Sequence, residues 1–578
     1  MQKTPKYDAK VSKILDSLKP GERVCDLTGE KWMMDEREIG WYKKFNVPPS
    51  KYSPMARKKL IHSYFLMFDI WYNKHFDTGK PVVSGIHPAT GVRVLPDKEW
   101  FDRDFISEGR EVDFEQPFFD QLYNLSQTVP RAAGYNFVEP KNSVAFISFG
   151  DVDSYFVLAC RSKRCYYCGN SYDAEDCAET SMVTKTQDCY HLVRCDRMHN
   201  CRFASESYDC ISCDFIFDCR NCEYCFGAVN KRNKKYLWYN EQLSKEEWEQ
   251  RFAEVDLTSW KIRQEYEQKY YDLISNAIWA ENYNINAENC VGEYLNNVSN
   301  ILNGYYSNAP GSRDCEECTY FEGGQSHGCY MIGAPISASD CYYSVGVEGS
   351  NLKFAMSINS KMMDSEYCES CYECSDCFGC IGLRHKKFCI LNKQYSEEEY
   401  WQKVDQLKCT MLERREYGDM PPANFSTQVY TGSGAAVLFG SDMEEGKKLG
   451  AIEIDPRSEG AEGPEVEVGT VASLDEIPDR VEDVDALVGK PFLDPNCGRR
   501  FTYIKPELEL YKKLKVAPPR IHPVARGYAL YDQINMPMFS ETNCVQCDQK
   551  ITVALNRAYP NRKIYCKSCY HKYIEQYG

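Results

Sequence analysis

Between Cys160 and Cys225 small apolar positions recur with a fixed period. Twelve of these 66 residues are cysteine, and eight of them, Cys165, Cys177, Cys189, Cys195, Cys201, Cys213, Cys219 and Cys225, fall on one six-residue grid. The vacant grid positions, Ser171, Val183 and Ser207, are also small or apolar. An even period keeps side chains on one face of an extended chain. Six residues also suit a half-turn of a small β-solenoid, whose stacked repeats bury a narrow interior column. Cysteine is small and behaves as a hydrophobe when buried, so the grid predicts an inward ladder of structural thiols. Asp or Asn precedes Cys at 176, 188, 200, 209, 218 and 221, as expected of corners where such side chains bond their own backbone. Tyr166 and Tyr190, each after a Cys, are expected to face outward.

The pattern returns over 282–392. Cys219, Cys222, Cys225, Arg232, Lys234, Lys235, Asn240, Gln242, Ser244, Glu246 and Glu247 recur, at an offset of 152, as Cys371, Cys374, Cys377, Arg384, Lys386, Lys387, Asn392, Gln394, Ser396, Glu398 and Glu399. Each copy ends in a capping box, Ser244-x-x-Glu247 and Ser396-x-x-Glu399, which opens a helix. The first helical stretch runs to about Ile274 and turns Trp248, Phe252, Val255 and Trp260 toward a core; the second runs to about Lys408. The fold expected is mainly β: a two-part Cys-rich β-solenoid with amphipathic helices closing each half, flanked by two small α+β zinc-ribbon-like modules.

Those flanking modules emerge when the chain is slid by 469 residues without gaps. Gly29, Glu38, Tyr42-Lys43-Lys44, Val47, Pro49 and Arg57 then meet Gly498, Glu507, Tyr511-Lys512-Lys513, Val516, Pro518 and Arg526. The C-terminal copy ends in Cys544-x-x-Cys547, eighteen residues, and Cys566-x-x-Cys569. Paired knuckles at that spacing predict one closed, structural zinc site around a hairpin near Ile551–Arg557. The N-terminal copy has His75, Thr78, Asp97 and Trp100 at the same positions; two of these are not metal ligands, so it is expected to hold by packing. An upstream half in each copy resembles a decayed knuckle pair. In the C-terminal copy it leaves Asp494, Cys497 and His522 as a weak three-ligand set, with an ordinary structural role preferred.

The organisation read from these signals is an N-terminal helix (1–20), a degenerate ribbon-like module (21–104), a connector (105–140), the first solenoid half (141–240), a helical segment (241–281), the second half (282–392), a closing helix (393–412), an acidic flexible linker (413–489) and the zinc-ribbon module (490–578). The linker reading rests on charge: 442–485 carries 15 acids against 4 bases, with Gly and Pro frequent.

Net charge is −16, but it is divided unevenly: +8 over 490–578, +5 over 1–104 and −29 between them. The acidic centre excludes a general nucleic-acid coat. No run approaches 18 apolar residues, so no membrane span or membrane partner is expected, and the polar N-terminus has no signal-peptide pattern. A cytoplasmic location follows, where clustered cysteines are more often ligands or buried thiols than disulfides. The successive CxxC runs 210–225 and 368–380 allow zinc or an iron–sulfur cluster. Residues three apart on a strand face opposite ways, however, so plain thiols are preferred and no iron–sulfur cluster is expected. No P-loop or HExxH occurs, and no catalytic residue is identified. Arg499, Arg500, Lys512, Lys513, Lys515, Arg520, Arg562 and Lys563 surround the ribbon as candidate contacts for a partner or for nucleic acid.

The chain resembles a group of Cys-rich repeat proteins with terminal zinc-ribbon-like modules, common in reduced-genome, candidate-phylum bacteria. The likeness rests on the Tyr-Lys-Lys segments, on the Cys497-Gly498 knuckle remnant, and on the phrase Leu391-Asn392-Lys393-Gln394-Tyr395-Ser396-x-Glu398-Glu399-Tyr400 that ends the repeats. It departs where the group's upstream Cys-Pro-x-Cys-Arg thiols are replaced by Ser53/Ala56 and His522/Ala525. The resemblance implies zinc binding and a repeat scaffold, and no activity. The function expected is a non-enzymatic zinc-binding scaffold for another protein. Two alternatives stand beside it: a nucleic-acid or ribosome-associated protein binding through its basic ends, and a thiol-based redox or metal-handling protein.

Overall fold

The computed structural model describes the chain apart from residues 1–2, 170–171, 176–189, 308, 322–323, 343–344, 351–352, 355–360 and 462–470. The grid positions Cys177 and Cys189 lie outside the described residues. The mainly β solenoid expected from the Cys period is corrected: helix and strand take 30% and 28% of the chain, and among the described residues no sheet closes. The strands are short and fall into many small sheets, most of them two-stranded. Two compact units form. One comprises Met1–Ala133, Asn282–Ala461 and Pro537–Phe539; the other comprises Gly134–Glu281, Glu462–Met536 and Ser540–Gly578. The N-terminal module therefore belongs with the second Cys repeat, and most of the C-terminal module with the first.

In the second unit the Cys repeat has a shorter period than six. From Arg197 to Tyr224 every third residue is left-handed, with φ between 49° and 57°. The residue after each one points inward: Met198, Cys201, Ala204, Ser207, Cys210, Cys213, Ile216, Cys219, Cys222 and Cys225 are all at most 1% exposed. Cysteines three apart therefore share one core, instead of alternating between faces as a plain strand would require. The six-residue grid is every second position of this three-residue period. Registration between segments is parallel and twelve residues long, as in Asp196↔Tyr208 and Tyr208↔Arg220.

The left-handed residue explains that register. It turns one amide backward while its neighbour's points forward: Tyr208 N–H donates to the Cys219 carbonyl at 3.0 Å, and Asp209 N–H donates to the Asp196 carbonyl at 3.1 Å. Left-handed backbone is costly for most side chains but mild for Asn and Asp, and Asn200, Asp209, Asp218 and Asn221 occupy it. Their side chains also join neighbouring segments, as Asn221 Nδ2 donates to Asn233 Oδ1 at 2.8 Å. Asn221→Val should therefore destabilise this unit by about 2 kcal/mol, while Asn221→Gly should lie within about 1 kcal/mol of the parent. Denaturant midpoints of the two variants check this. Tyr166 and Tyr190 do not face outward; both are buried, and Tyr190 meets the Tyr511 ring edge-on at 5.5 Å.

Each terminal module docks on its Cys repeat through the same buried box. In the first unit the Arg57 guanidinium pairs with Glu38 at 2.6 Å and donates to the hydroxyls of Tyr330 (3.2 Å) and Tyr342 (3.3 Å) on the second repeat. In the second unit Arg526 lies 3.7 Å from Glu507 and 4.7 Å above the Tyr167 ring of the first repeat, while the Tyr167 hydroxyl donates to Glu507 at 3.0 Å. The helices Glu36–Phe45 and Lys505–Leu514 that carry the two Glu residues even end on matching left-handed caps, Asn46 and Lys515.

In the first unit the helix Pro54–Ser63 also sends His62 onto the second repeat, where Nε2 lies 2.9 Å from the Thr319 hydroxyl. Burial, helped by the Lys58 charge and only partly offset by a bond to the Lys58 carbonyl, holds His62 down at about 4. The unfolded ring titrates near 6.5, so below that pH the unfolded chain binds a proton that the native ring refuses. Stability of this unit should then fall by about 3 kcal/mol as pH drops from about 6.5 to about 4, and level off below. Denaturation of His62→Gln across this range should show a shallower slope than the parent.

The stretch read as a flexible linker is packed wherever it is described. Within the first unit Tyr430, Val437, Leu438 and Phe439 are buried, the helix Gly434–Phe439 forms, and the Tyr430 hydroxyl meets the Ser441 hydroxyl at 2.6 Å. Within the second unit Val481, Val484 and Leu487 are buried along Val481–Leu487. Acidic composition concealed the apolar anchors along Val481–Leu487. The capping boxes at Ser244 and Ser396 are present and open the helices Lys245–Ala253 and Glu397–Glu413.

Candidate metal centre

The two C-terminal knuckles come together on short, tightly hydrogen-bonded turns. The hairpin strand Lys550–Asn556 follows the first knuckle, and the strand Lys563–Tyr565 leads into the second. Cys566 then serves as the N-cap of the closing helix Lys567–Tyr577, which places Cys569 in its first turn. The Sγ atoms of Cys544, Cys547, Cys566 and Cys569 all lie within 4.8 Å of one another. Cys547 and Cys566 are 3.7 Å apart, the edge of a tetrahedron whose metal–sulfur bonds are about 2.3 Å long, namely about 3.8 Å. The donor set and its spacing fit a metal ion, and the group can hold one.

Electrostatics favours the thiolate at Cys544 and the thiol at Cys566 and Cys569. Burial opposes ionisation of Cys544, but the amides of Cys566, Cys547 and Gln546 outweigh it and hold its pKa down at about 6. The Cys566 N–H lies 3.2 Å from the Cys544 sulfur. Cys569 is pushed up to about 12, first by Cys547 and then by its own burial and the other two sulfurs. Four sulfurs this close cannot all ionise without a cation between them.

Among the described residues this is the one such group of ligands. The weak set Asp494, Cys497 and His522 is engaged otherwise. Asp494 accepts the amides of Asn496 and His522, each at 2.9 Å, and His522 Nδ1 caps the helix Pro523–Gln533 through the Val524 amide at 3.1 Å. Cys497 is exposed. In the N-terminal copy His75 takes the place of a knuckle sulfur: Nδ1 accepts the Asp77 and Thr78 amides, while Nε2 lies 3.2 Å from Glu99. Trp100 is fully buried there and donates to the Pro130 carbonyl at 2.9 Å, so packing stands where the metal would.

The core thiols are of a different kind. Cys195, Cys201, Cys210, Cys213, Cys219, Cys222 and Cys225 are buried free thiols, and Cys165 is buried with them. Each of the seven donates to the carbonyl two residues back, Cys210 to Tyr208 and Cys213 to Ile211 at 3.3 Å, for example. Burial pushes Cys195 and Cys219 well up, which makes them poor nucleophiles.

The eight basic candidates do not assemble as one free patch. Lys512 pairs with Asp485 at 2.6 Å. Arg520 stacks on Trp260 and donates to the Pro478 carbonyl at 3.1 Å. Arg562 stacks on Trp279 at 5.2 Å. Arg499 and Arg500 sit half-buried on the strand Arg499–Phe501. Lys513, Lys515 and Lys563 have exposed side chains. The module's cation–aromatic seams, invisible in sequence, absorb much of the charge that made it look like a nucleic-acid ligand. No described helix is long and apolar enough to cross a membrane.

No family model matches the chain, and no curated protein matches it significantly.

Proposed function

We propose that the protein is a non-enzymatic, zinc-binding scaffold for another protein, akin to the Cys-rich repeat proteins it resembles. The observation that carries this reading is the tetrahedral spacing of the four sulfurs. Thiolates select soft or borderline ions, and four of them leave no coordination position open for substrate, which is the arrangement of structural zinc. The burial of the core thiols argues against a redox centre among them, and the stacking of Arg520 and Arg562 on Trp260 and Trp279 argues against an electrostatic grip on nucleic acid.

Elemental analysis of protein purified without chelator is expected to find about one zinc per chain and no iron. Several zincs, or stoichiometric iron, would place metal among the repeat cysteines and overturn the reading of those thiols as packing groups.

A further inference from the structure

The metal centre stands at the root of the C-terminal helix, and one buried carboxylate fastens that helix to the first Cys repeat. Asp218, directly before Cys219 of the thiol core, is fully buried. It accepts from Asn230 Nδ2 at 2.8 Å, from the Arg232 guanidinium at 3.0 Å, and from the Tyr570 hydroxyl. The same hydroxyl accepts from Arg232 Nη2 at 3.0 Å. Tyr570 follows the ligand Cys569 in sequence. A second seam runs through the strand Lys563–Tyr565, which ends beside the ligand Cys566 and pairs in parallel with Ile278–Ala280. Trp279 on that strand is buried against Tyr559, with ring centroids 5.5 Å apart. Both seams thus adjoin a segment whose course is set at Cys566 and Cys569.

We propose that the metal works as a latch. With the ion bound, Lys567–Tyr577 is held on the first repeat through the triad Tyr570–Asp218–Arg232; without it, the helix and the strand Lys563–Tyr565 come away. The proposal rests on the metal reading above. Its physical basis is asymmetric. An eleven-residue helix is marginal by itself, and its first turn is anchored by two metal ligands. The repeat loses little when the helix leaves, because Asp218 keeps Asn230 and Arg232 and is never a buried unpaired charge. Release is therefore reversible and local, and it uncovers Asp218, Arg232 and Trp279 together.

The test uses the full-length chain. Zinc content is measured by elemental analysis alongside amide hydrogen exchange, before chelation, after it, and after zinc is returned. Removal is expected to speed exchange at least about tenfold over 278–280 and 567–577, leave 214–217 unchanged, and be reversed by zinc. The milder variant Tyr570→Phe should keep its zinc stoichiometry yet show several-fold faster exchange over 567–577. Protein shown to be metal-free with protection intact, or Tyr570→Phe indistinguishable from the parent, would overturn the latch and leave the metal site standing. Protein that neither holds nor takes up zinc would overturn both.

Discussion

Cys566→Ser should lose essentially all bound zinc and release the strand Lys563–Tyr565 and the helix Lys567–Tyr577. A structural zinc of this kind contributes about 10–16 kcal/mol of apparent binding free energy, and the ribbon has little core of its own to replace it. The expected readout is a fall from about one zinc per chain to nearly none, with loss of the exchange-protected amides of Lys567–Tyr577. Cys497→Ser is the matched control. Its thiol is exposed and lies outside the four-sulfur group, so metal content and stability should stay at parental values. If Cys566→Ser retained full zinc, the assignment of the four ligands would fail.

The second large effect is expected at the docking box of the first unit. Arg57 is fully buried, as is most of Glu38, and the Tyr42 hydroxyl donates to the same carboxylate at 2.5 Å. Arg57→Met leaves that carboxylate buried without its cation, which should cost about 3–5 kcal/mol. Adding Glu38→Gln removes the stranded charge and should recover most of the loss, leaving the double variant about 1–2 kcal/mol below the parent. Denaturant unfolding of the four proteins gives the coupling directly. Equal destabilisation in the single and double variants would show that the ion pair contributes nothing beyond shape.

The duplicated box also marks how far the sequence could be read. The offset of 469 pairs Glu38 with Glu507 and Arg57 with Arg526, and the metal ligands follow from knuckle spacing because a zinc turn is a local object. The partner of each Arg is not local. Nothing near Arg57 points to Tyr330, and nothing near Arg526 points to Tyr167. The Cys period was seen and its unit mistaken, since Met198, Ala204 and Ile216 fill inward positions without matching a search for cysteine. Left-handed backbone at Phe203, Glu206 and Phe215 has no composition signal, and it is what turns residues three apart to the same side. In 413–489 the acids outnumber the anchors, so charge read as disorder hid Val484.

That each terminal module packs with the Cys repeat farther from it along the chain bears on biogenesis. Arg57 meets Tyr330 across 273 residues of chain, and the main body of the first unit is complete only when Ala461 has been made, with Pro537–Phe539 added later. At about 5–20 residues per second, the N-terminal module waits on the ribosome for roughly 15–65 s after its own completion. Until Tyr330 and Tyr342 are made, the aromatic face of Trp41 and Phe45 that later covers them has no native cover. Holding chaperones are expected to engage the nascent chain at this face, and overproduction is expected to aggregate through it.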